Sequence, residues 1–320
     1  MWVTGARASV ARMPTRPEIE AAAARLSPYI RRTPVLPLHP DELGCPVTLK
    51  LEFLQHTGSF KARGAFNTVL TSSVPIAGVA AASGGNHGAA VAYAAQRLGH
   101  AAAIFVPASA PATKLDRIRG YGATVSMQGA AYLDALAACN AHQAATGAMG
   151  VHAYDQESVL AGQGTVGREF QSDAPDLTHI LVAVGGGGLI GGIAAWYAGT
   201  GSEIIAVEPL SCPTLHAAIA AGHPTPVSVS GVAADSLGAG IAGSLTVAIA
   251  IATGMQSVLV SDESIRDAQA WLWSHLRIAS EPGGAAALAA LLGGAWTPPA
   301  DARVGILLCG ANTDAVRVSF

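Results

Sequence analysis

The chain has 320 residues, 51% of them hydrophobic and only 12% charged, and carries a net charge of −3. That length is enough for a large core and for two domains, while the weak acidic balance and the lack of any basic run longer than two leave backbone neutralisation of a nucleic acid little to work with. Four cysteines, Cys45, Cys139, Cys212 and Cys309, include no CxxC pair, which argues against a disulfide framework or a structural zinc site.

Met1 to Met13 carry Arg7 and Arg12 but no apolar run, so they do not read as a secretory signal, and Met13 is an alternative start. Pro17 opens a helix to about Tyr29, with proline suited to a first turn, and Pro34 and Pro37 break it. Val47 to Phe53 alternates apolar with polar residues and predicts a strand. The Gly58-Ser59 turn then sets up a helix starting at Lys61. Gly78 to Ala82 reads as a short apolar strand ending in the Ser83 loop, with a helix over Gly88 to Leu98. A strand over Ala101 to Val106, a helix over Thr113 to Tyr121, a strand over Ala123 to Met127 and a helix over Tyr132 to Thr146 follow. Ile180 to Val184 and Glu203 to Glu208 repeat the strand pattern. Ser261-Asp262-Glu263 starts a helix to about Leu276, with acid in its first turn. Val304 to Cys309 is a last buried strand.

This rhythm predicts an α/β protein of open, twisted, mostly parallel sheets flanked by crossover helices. With no long linker between the halves, two closely joined domains with a ligand cleft where strand ends meet are expected. The apolar stretches are cut by glycines and polar residues, so none reads as a membrane span of about 20 residues. The cytoplasm is the expected compartment.

Three signals carry chemistry. Four glycines, Gly185 to Gly188, follow an apolar strand directly. Such a run is costly in backbone entropy and makes sense if several N–H groups converge on a tetrahedral anion, with a helix starting near Leu189 adding its positive end. The plain alternative is a tight strand-to-helix turn. No Gly-Lys-Ser/Thr follows, which excludes a Walker loop, and no acidic residue is placed for a ribose. Lys61 stands among Gly58, Ser59, Phe60 and Gly64. Most lysines are solvated surface charges, but an apolar wall and close backbone approach would desolvate this amine and make it nucleophilic. Ser83-Gly84-Gly85-Asn86-His87-Gly88 is a loop suited to a small anion. A reactive amine, an anion loop and a phosphate cradle together are the equipment of an enzyme built on pyridoxal 5'-phosphate.

The ordered set resembles the serine/threonine dehydratase family, within the tryptophan-synthase-beta-like pyridoxal-phosphate enzymes. The resemblance runs from about Thr33 to Asp314. It rests on Lys50 to Ala65 (KLEFLQHTGSFKARGA), Ser83 to His87, Ala161-Gly162-Gln163-Gly164-Thr165, Gly185 to Gly188, Ala234-Asp235, Glu281 to Ala286 and Cys309-Gly310-Ala311-Asn312. It implies a large domain from residues 14–75 and 151–320, a small one at 76–150 inserted in it, the cofactor in the cleft between them, and a homodimer. It implies that Lys61 links covalently to the cofactor and takes the substrate's α proton. Phe60 would lie beside the ring, Asn86 would bond its hydroxyl, Gly185, Gly186, Gly187, Gly188 and Leu189 would hold its phosphate, and Cys309 would face its nitrogen. Ser83, Asn86 and His87 would receive the substrate carboxylate. The plain reading of Cys309 is a buried small hydrophobe. The reaction implied is β-elimination on a 3-hydroxy amino acid such as L-threonine or L-serine, giving a 2-oxo acid and ammonia.

Three departures matter. Gly84 stands where serine racemases of the family place a serine, so little racemisation is expected. Related members bind a divalent cation through a carboxylate, a backbone carbonyl and an aspartate. Glu208 and the Cys212 carbonyl match the first two, but Thr214 replaces the aspartate, which weakens a site that needs charged oxygens. Ala311 replaces a usual glycine. His142, His152 and His179 are expected to be structural or exposed, and one of Trp271 and Trp273 to sit at a subunit contact. No regulatory domain is expected after Asn312. Other readings are a dehydratase for threo-3-hydroxyaspartate, phenylserine or an osmolyte-derived substrate, a racemase of the same fold, and a non-catalytic pyridoxal-phosphate-binding protein.

Overall fold

The computed structural model describes residues 12–313. The amino-terminal reading therefore lies outside the described residues except at Arg12 and Met13, as does Asp314. Helix α1 (Arg16–Leu26) leads into strand β1 (Val35–Leu38), short helix α2 (Pro40–Leu43), strand β2 (Val47–Lys50) and helix α3 (Lys61–Leu70). Alternation follows in β3 (Val79–Ala82), α4 (Asn86–Leu98), β4 (Ala102–Val106), α5 (Ala112–Gly120), β5 (Thr124–Met127), α6 (Tyr132–Thr146) and β6 (Met149–Gly150). Then come α7 (Glu157–Asp173), β7 (His179–Ala183), α8 (Gly188–Tyr197), β8 (Glu203–Pro209), α9 (Thr214–Ala221), α10 (Ala234–Leu237) and α11 (Ser244–Thr253). Strand β9 (Gln256–Val260), α12 (Asp262–Leu276), α13 (Pro282–Leu292) and β10 (Val304–Leu307) complete the described chain.

The strands form two sheets, in the orders β1-β2-β10-β7-β8-β9 and β5-β4-β3-β6. All pairings are parallel except the edge pair β1 and β2. The result is a two-domain α/β arrangement of twisted sheets flanked by helices. The topology places the site. Strand β10, last in sequence, lies between β2 and β7, with Ile306 opposite both Leu49 and Leu181. All three run the same way, so the segments after them emerge side by side. Those segments carry Lys61, Cys309 and the four glycines.

Several boundaries differ from the sequence expectation. Strand β2 stops at Lys50 because Leu51 leaves the extended region (φ −88°, ψ 61°) and two 3-10 turns follow. Strand β10 ends at Leu307, which leaves Cys309 in a short connection held by the Phe60 N–H donating to the Cys309 carbonyl at 3.2 Å. Helix α4 starts at Asn86, two residues early. Helix α12 begins as expected, with the Ser261 hydroxyl accepting from the Ser264 N–H at 3.0 Å.

Small residues let backbones approach. A Cβ at Gly162 would lie 2.7 Å from the Arg63 carbonyl oxygen, and one at Gly192 would lie 2.3 Å from that of Leu160, so α3, α7 and α8 pack almost backbone to backbone. At the α3–α7 seam lies a buried ion network. The Arg63 guanidinium donates to Glu52 at 2.6 and 2.9 Å and to Glu169 at 2.7 and 2.8 Å. Lys50 donates to Glu169 at 3.0 Å and to the Thr33 carbonyl at 2.6 Å. Two cations thus face two carboxylates with nearly every lone pair used, which offsets their desolvation. Arg63→Met strands both glutamates, and the expected loss is about 3–5 kcal/mol, read as a lower urea midpoint. A loss under about 1 kcal/mol would show that the network stabilises little.

Candidate active site

Lys61 is the first residue of α3. Its Nζ donates to the Ala153 carbonyl at 2.7 Å and lies 5.1 Å from the centroid of the Phe60 ring. Burial pulls its pKa down to about 8, against the opposing pull of Cys309 and Glu281. A substantial fraction of this amine is therefore neutral at mild pH, the state a nucleophile needs.

The glycine run follows β7 as a turn closed to side chains. Gly187 has φ 95°, a region that favours glycine, and precedes α8. A Cβ at Gly185 would lie 2.8 Å from the Leu237 carbonyl oxygen, one at Gly186 2.2 Å from the Tyr154 ring, and one at Gly187 2.6 Å from Thr246 Cγ2. Only backbone fits, and the amino end of α8 faces the turn with Gly188 and Leu189. Thr246 packs against this turn, and its hydroxyl is buried without a hydrogen-bond partner. A buried donor left over beside a ring of amides is what a phosphate would satisfy. Sequence reasoning missed Thr246, because a lone threonine in an apolar helix carries no signal.

Asn86 opens α4. Its Nδ2 donates to Glu281 at 2.7 Å, and its Oδ1 accepts from Asn312. Glu281, which the sequence motif contains but to which no role was given, is pushed up to about 7 by burial, with Asn86 opposing the rise. Ser83 Oγ accepts from the Gly85 N–H at 3.3 Å. His87 Nε2 lies 2.9 Å from the Val151 carbonyl, and burial together with Lys61 pulls its pKa down to about 3, so the imidazole is neutral. A cavity of about 290 Å³ opens beside Gly84, Asn86, Lys114, Arg117 and Asn312. Burial, with Glu281 adding, holds the Cys309 thiol far above the usual thiol range, so it is uncharged.

His152 is exposed, as expected, and its Nδ1 accepts from the Tyr154 and Asp155 N–H groups at 3.2 and 2.8 Å. It packs edge-on to Tyr154 with centroids 4.7 Å apart, and Lys61 is near enough to join burial in lowering its pKa. His142 rests on Phe105 and His179 on Trp296. The candidate cation ligands are engaged in hydrogen bonds. Glu208 accepts from the Leu215 and His216 N–H groups, both at 2.7 Å, and so caps α9. The Ser257 hydroxyl stands 3.3 Å from it. The Cys212 carbonyl accepts from the Thr214 N–H at 3.1 Å. Thr214 donates to the Gly185 carbonyl at 2.6 Å, which ties this cap to the glycine turn instead.

A desolvated lysine, a glycine turn that admits only backbone and an uncharged thiol suit an enzyme that works through a bound aldehyde cofactor. Comparison with known proteins agrees. The family described as pyridoxal-phosphate dependent enzyme matches residues 26–310. The L-threonine ammonia-lyase of Geobacter sulfurreducens is 38% identical over 94% of this chain and 76% of its own. The phenylserine dehydratase of Ralstonia pickettii is 36% identical over 94% of this chain and 95% of its own. The structure of maize serine racemase superposes with a TM-score of 0.90 at 32% identity, covering 95% of each chain. The chain belongs to the pyridoxal-phosphate-dependent enzyme family, and its cofactor is pyridoxal phosphate.

The rate at which the cofactor-free protein takes up pyridoxal phosphate should rise with pH through a midpoint near 8, because protonation of Lys61 blocks attack. Stopped-flow absorbance measures it. A midpoint near the ordinary lysine value would mean the amine is not desolvated.

Proposed function

We propose that the protein removes water from a 3-hydroxy amino acid, and that the released enamine takes water back by hydrolysis to give a 2-oxo acid and ammonia. The observation that carries this reading is the uncharged Cys309 thiol, which cannot act like a carboxylate and keep a ring nitrogen protonated. Charge on the substrate α carbon is then drained less fully, which favours prompt loss of a β leaving group over transamination. Bound pyridoxal phosphate supplies the aldehyde and the electron-withdrawing ring.

In this reading Gly185 to Gly188, with Leu189 and Thr246, hold the phosphate through main-chain amides and one hydroxyl. Phe60 walls one side, Asn86 faces the ring hydroxyl, and Cys309 offers a neutral hydrogen bond to the nitrogen. The amino end of α4, with Ser83, Asn86 and His87, receives the substrate carboxylate. Neutral Lys61 takes the α proton, and the Ala153 carbonyl accepts a hydrogen bond from the resulting ammonium. The β hydroxyl then departs as water, taking with it the proton that Lys61 had received. Residues 76–150 act as the smaller unit against 14–75 with 151–320, and two copies pair as a homodimer. Light scattering at the mass of one chain would overturn that pairing.

Serine racemases among the relatives make racemisation the second reading. Gly84 argues against it, because it has no proton to give on the opposite face. A Cβ there would meet Ala110 at 3.3 Å, so the space is also tight.

A panel of L-serine, L-threonine, phenylserine and 3-hydroxyaspartate, assayed for oxo acid and ammonia, should show turnover that Lys61→Ala abolishes. Racemisation should run slower than elimination by about 100-fold or more, the usual contribution of one acid–base group. Cofactor loading without oxo-acid release would support a binding protein instead.

A further inference from the structure

We propose that Thr214 is a positioning residue for the cofactor, its hydroxyl bracing the glycine turn in the place where the family resemblance implies a divalent cation. This inference rests on the reading that Gly185 to Gly188 hold the phosphate. Thr214 Oγ1 donates to the Gly185 carbonyl at 2.6 Å and stands 3.1 Å from Glu208 Oε1. A hydroxyl has one hydrogen, and the shorter contact takes it. Thr214 and Glu208 are both fully buried, so bulk water does not compete for these contacts.

The bond to Gly185 sets the direction of an amide. A trans peptide points its C=O and the following N–H to opposite edges, and none of the described peptides is cis. Holding the Gly185 carbonyl toward α9 therefore turns the Gly186 N–H the other way. The next two carbonyls are held as well. That of Gly186 accepts from the Gly243 N–H at 2.9 Å, and that of Gly187 from the Gly191 N–H at 2.8 Å. The N–H groups of Gly186, Gly187 and Gly188 thus have set directions, which is what a cradle of main-chain amides requires. Of the three braces, the one on Gly185 comes from a side chain and can be removed by substitution.

The residues that would hold a cation are engaged in this brace. A hard ion takes several oxygens, carboxylates prominent among them. Glu208 is the one carboxylate of the three candidates. Its Oε1 accepts from the Leu215 N–H and its Oε2 from the His216 N–H, with Ser257 Oγ 3.3 Å from Oε2. The Cys212 carbonyl accepts from the Thr214 N–H. Among the described residues no three His, Cys, Asp or Glu side chains gather as ligands for an ion. One carboxylate engaged at both oxygens brings too little charge to strip water from such a cation.

The test titrates pyridoxal 5'-phosphate, and pyridoxal without the phosphate, into enzyme from which the cofactor has been removed, with absorbance as the readout. Thr214→Val keeps the shape and removes the hydroxyl. It should weaken pyridoxal phosphate binding about tenfold, the order of one buried hydrogen bond, and change pyridoxal binding by less than about twofold. Thr214→Ser should restore the original affinity. Chelation with EDTA, followed by millimolar magnesium, manganese or calcium, should leave the affinity of the unsubstituted enzyme unchanged. Equal weakening of both ligands by Thr214→Val would mark general damage and overturn the brace. So would an affinity that falls on chelation and returns with a cation. Tighter binding of the phosphorylated ligand that Thr214→Val leaves unmoved would sink the brace alone. Equal binding of the two ligands by the unsubstituted enzyme would sink the cradle reading, and the brace with it.

Discussion

The bidentate grip of Arg63 on Glu52 and Glu169 is the constraint on which the rest depends. These residues come from the segment after β2, from the first turn of α3 and from α7. Arg63 lies two positions after Lys61, so fixing its guanidinium fixes the turn that carries the reacting amine. Lys50 and Thr33 extend the same network to the sheet edge. Such a cluster is expensive to desolvate, and loose geometry would not repay the cost. Its worth lies in specifying one position of α3 against the sheet. The Phe60 N–H bond to Cys309 then brings that position into register with the last strand.

A second device is the use of main chain where side chains would be too mobile or too large. The glycine turn, the amino ends of α4 and α8, and the Ala153 carbonyl present fixed dipoles without rotamers to order. The side chains that remain are held neutral by burial. Lys61, His87 and Cys309 are each displaced toward the uncharged form. The site thus gathers reactive groups without gathering charge, which suits a cofactor that brings its own phosphate.

Much of this was legible in the sequence. Helix α6 matches the predicted Tyr132 to Thr146 span, and apolar runs gave β3, β4 and β5 of the small sheet but not β6. Lys61 and the four glycines stood out because their neighbours make no sense as surface. Other features were hidden for physical reasons. Helix α7 carries Gly162, Gly164 and Gly167, which propensity counts against a helix, yet the backbone contact with α3 and α8 requires glycine there. Strand β9 was overlooked as well. Asn86, Glu281 and Asn312 converge from distant parts of the chain, so spacing could not reveal their contact. The Ala153 carbonyl was hidden too, because nothing local shows that it faces Lys61.

The glycine turn has an evolutionary corollary. Nearly every substitution there would strike neighbouring atoms, so the part that anchors the cofactor is closed to variation. The cavity beside Gly84, by contrast, is lined by longer side chains such as Lys114 and Arg117, whose exchange leaves that turn untouched. A lineage built on this scaffold can therefore change its diet one lining residue at a time while its chemistry stays the same.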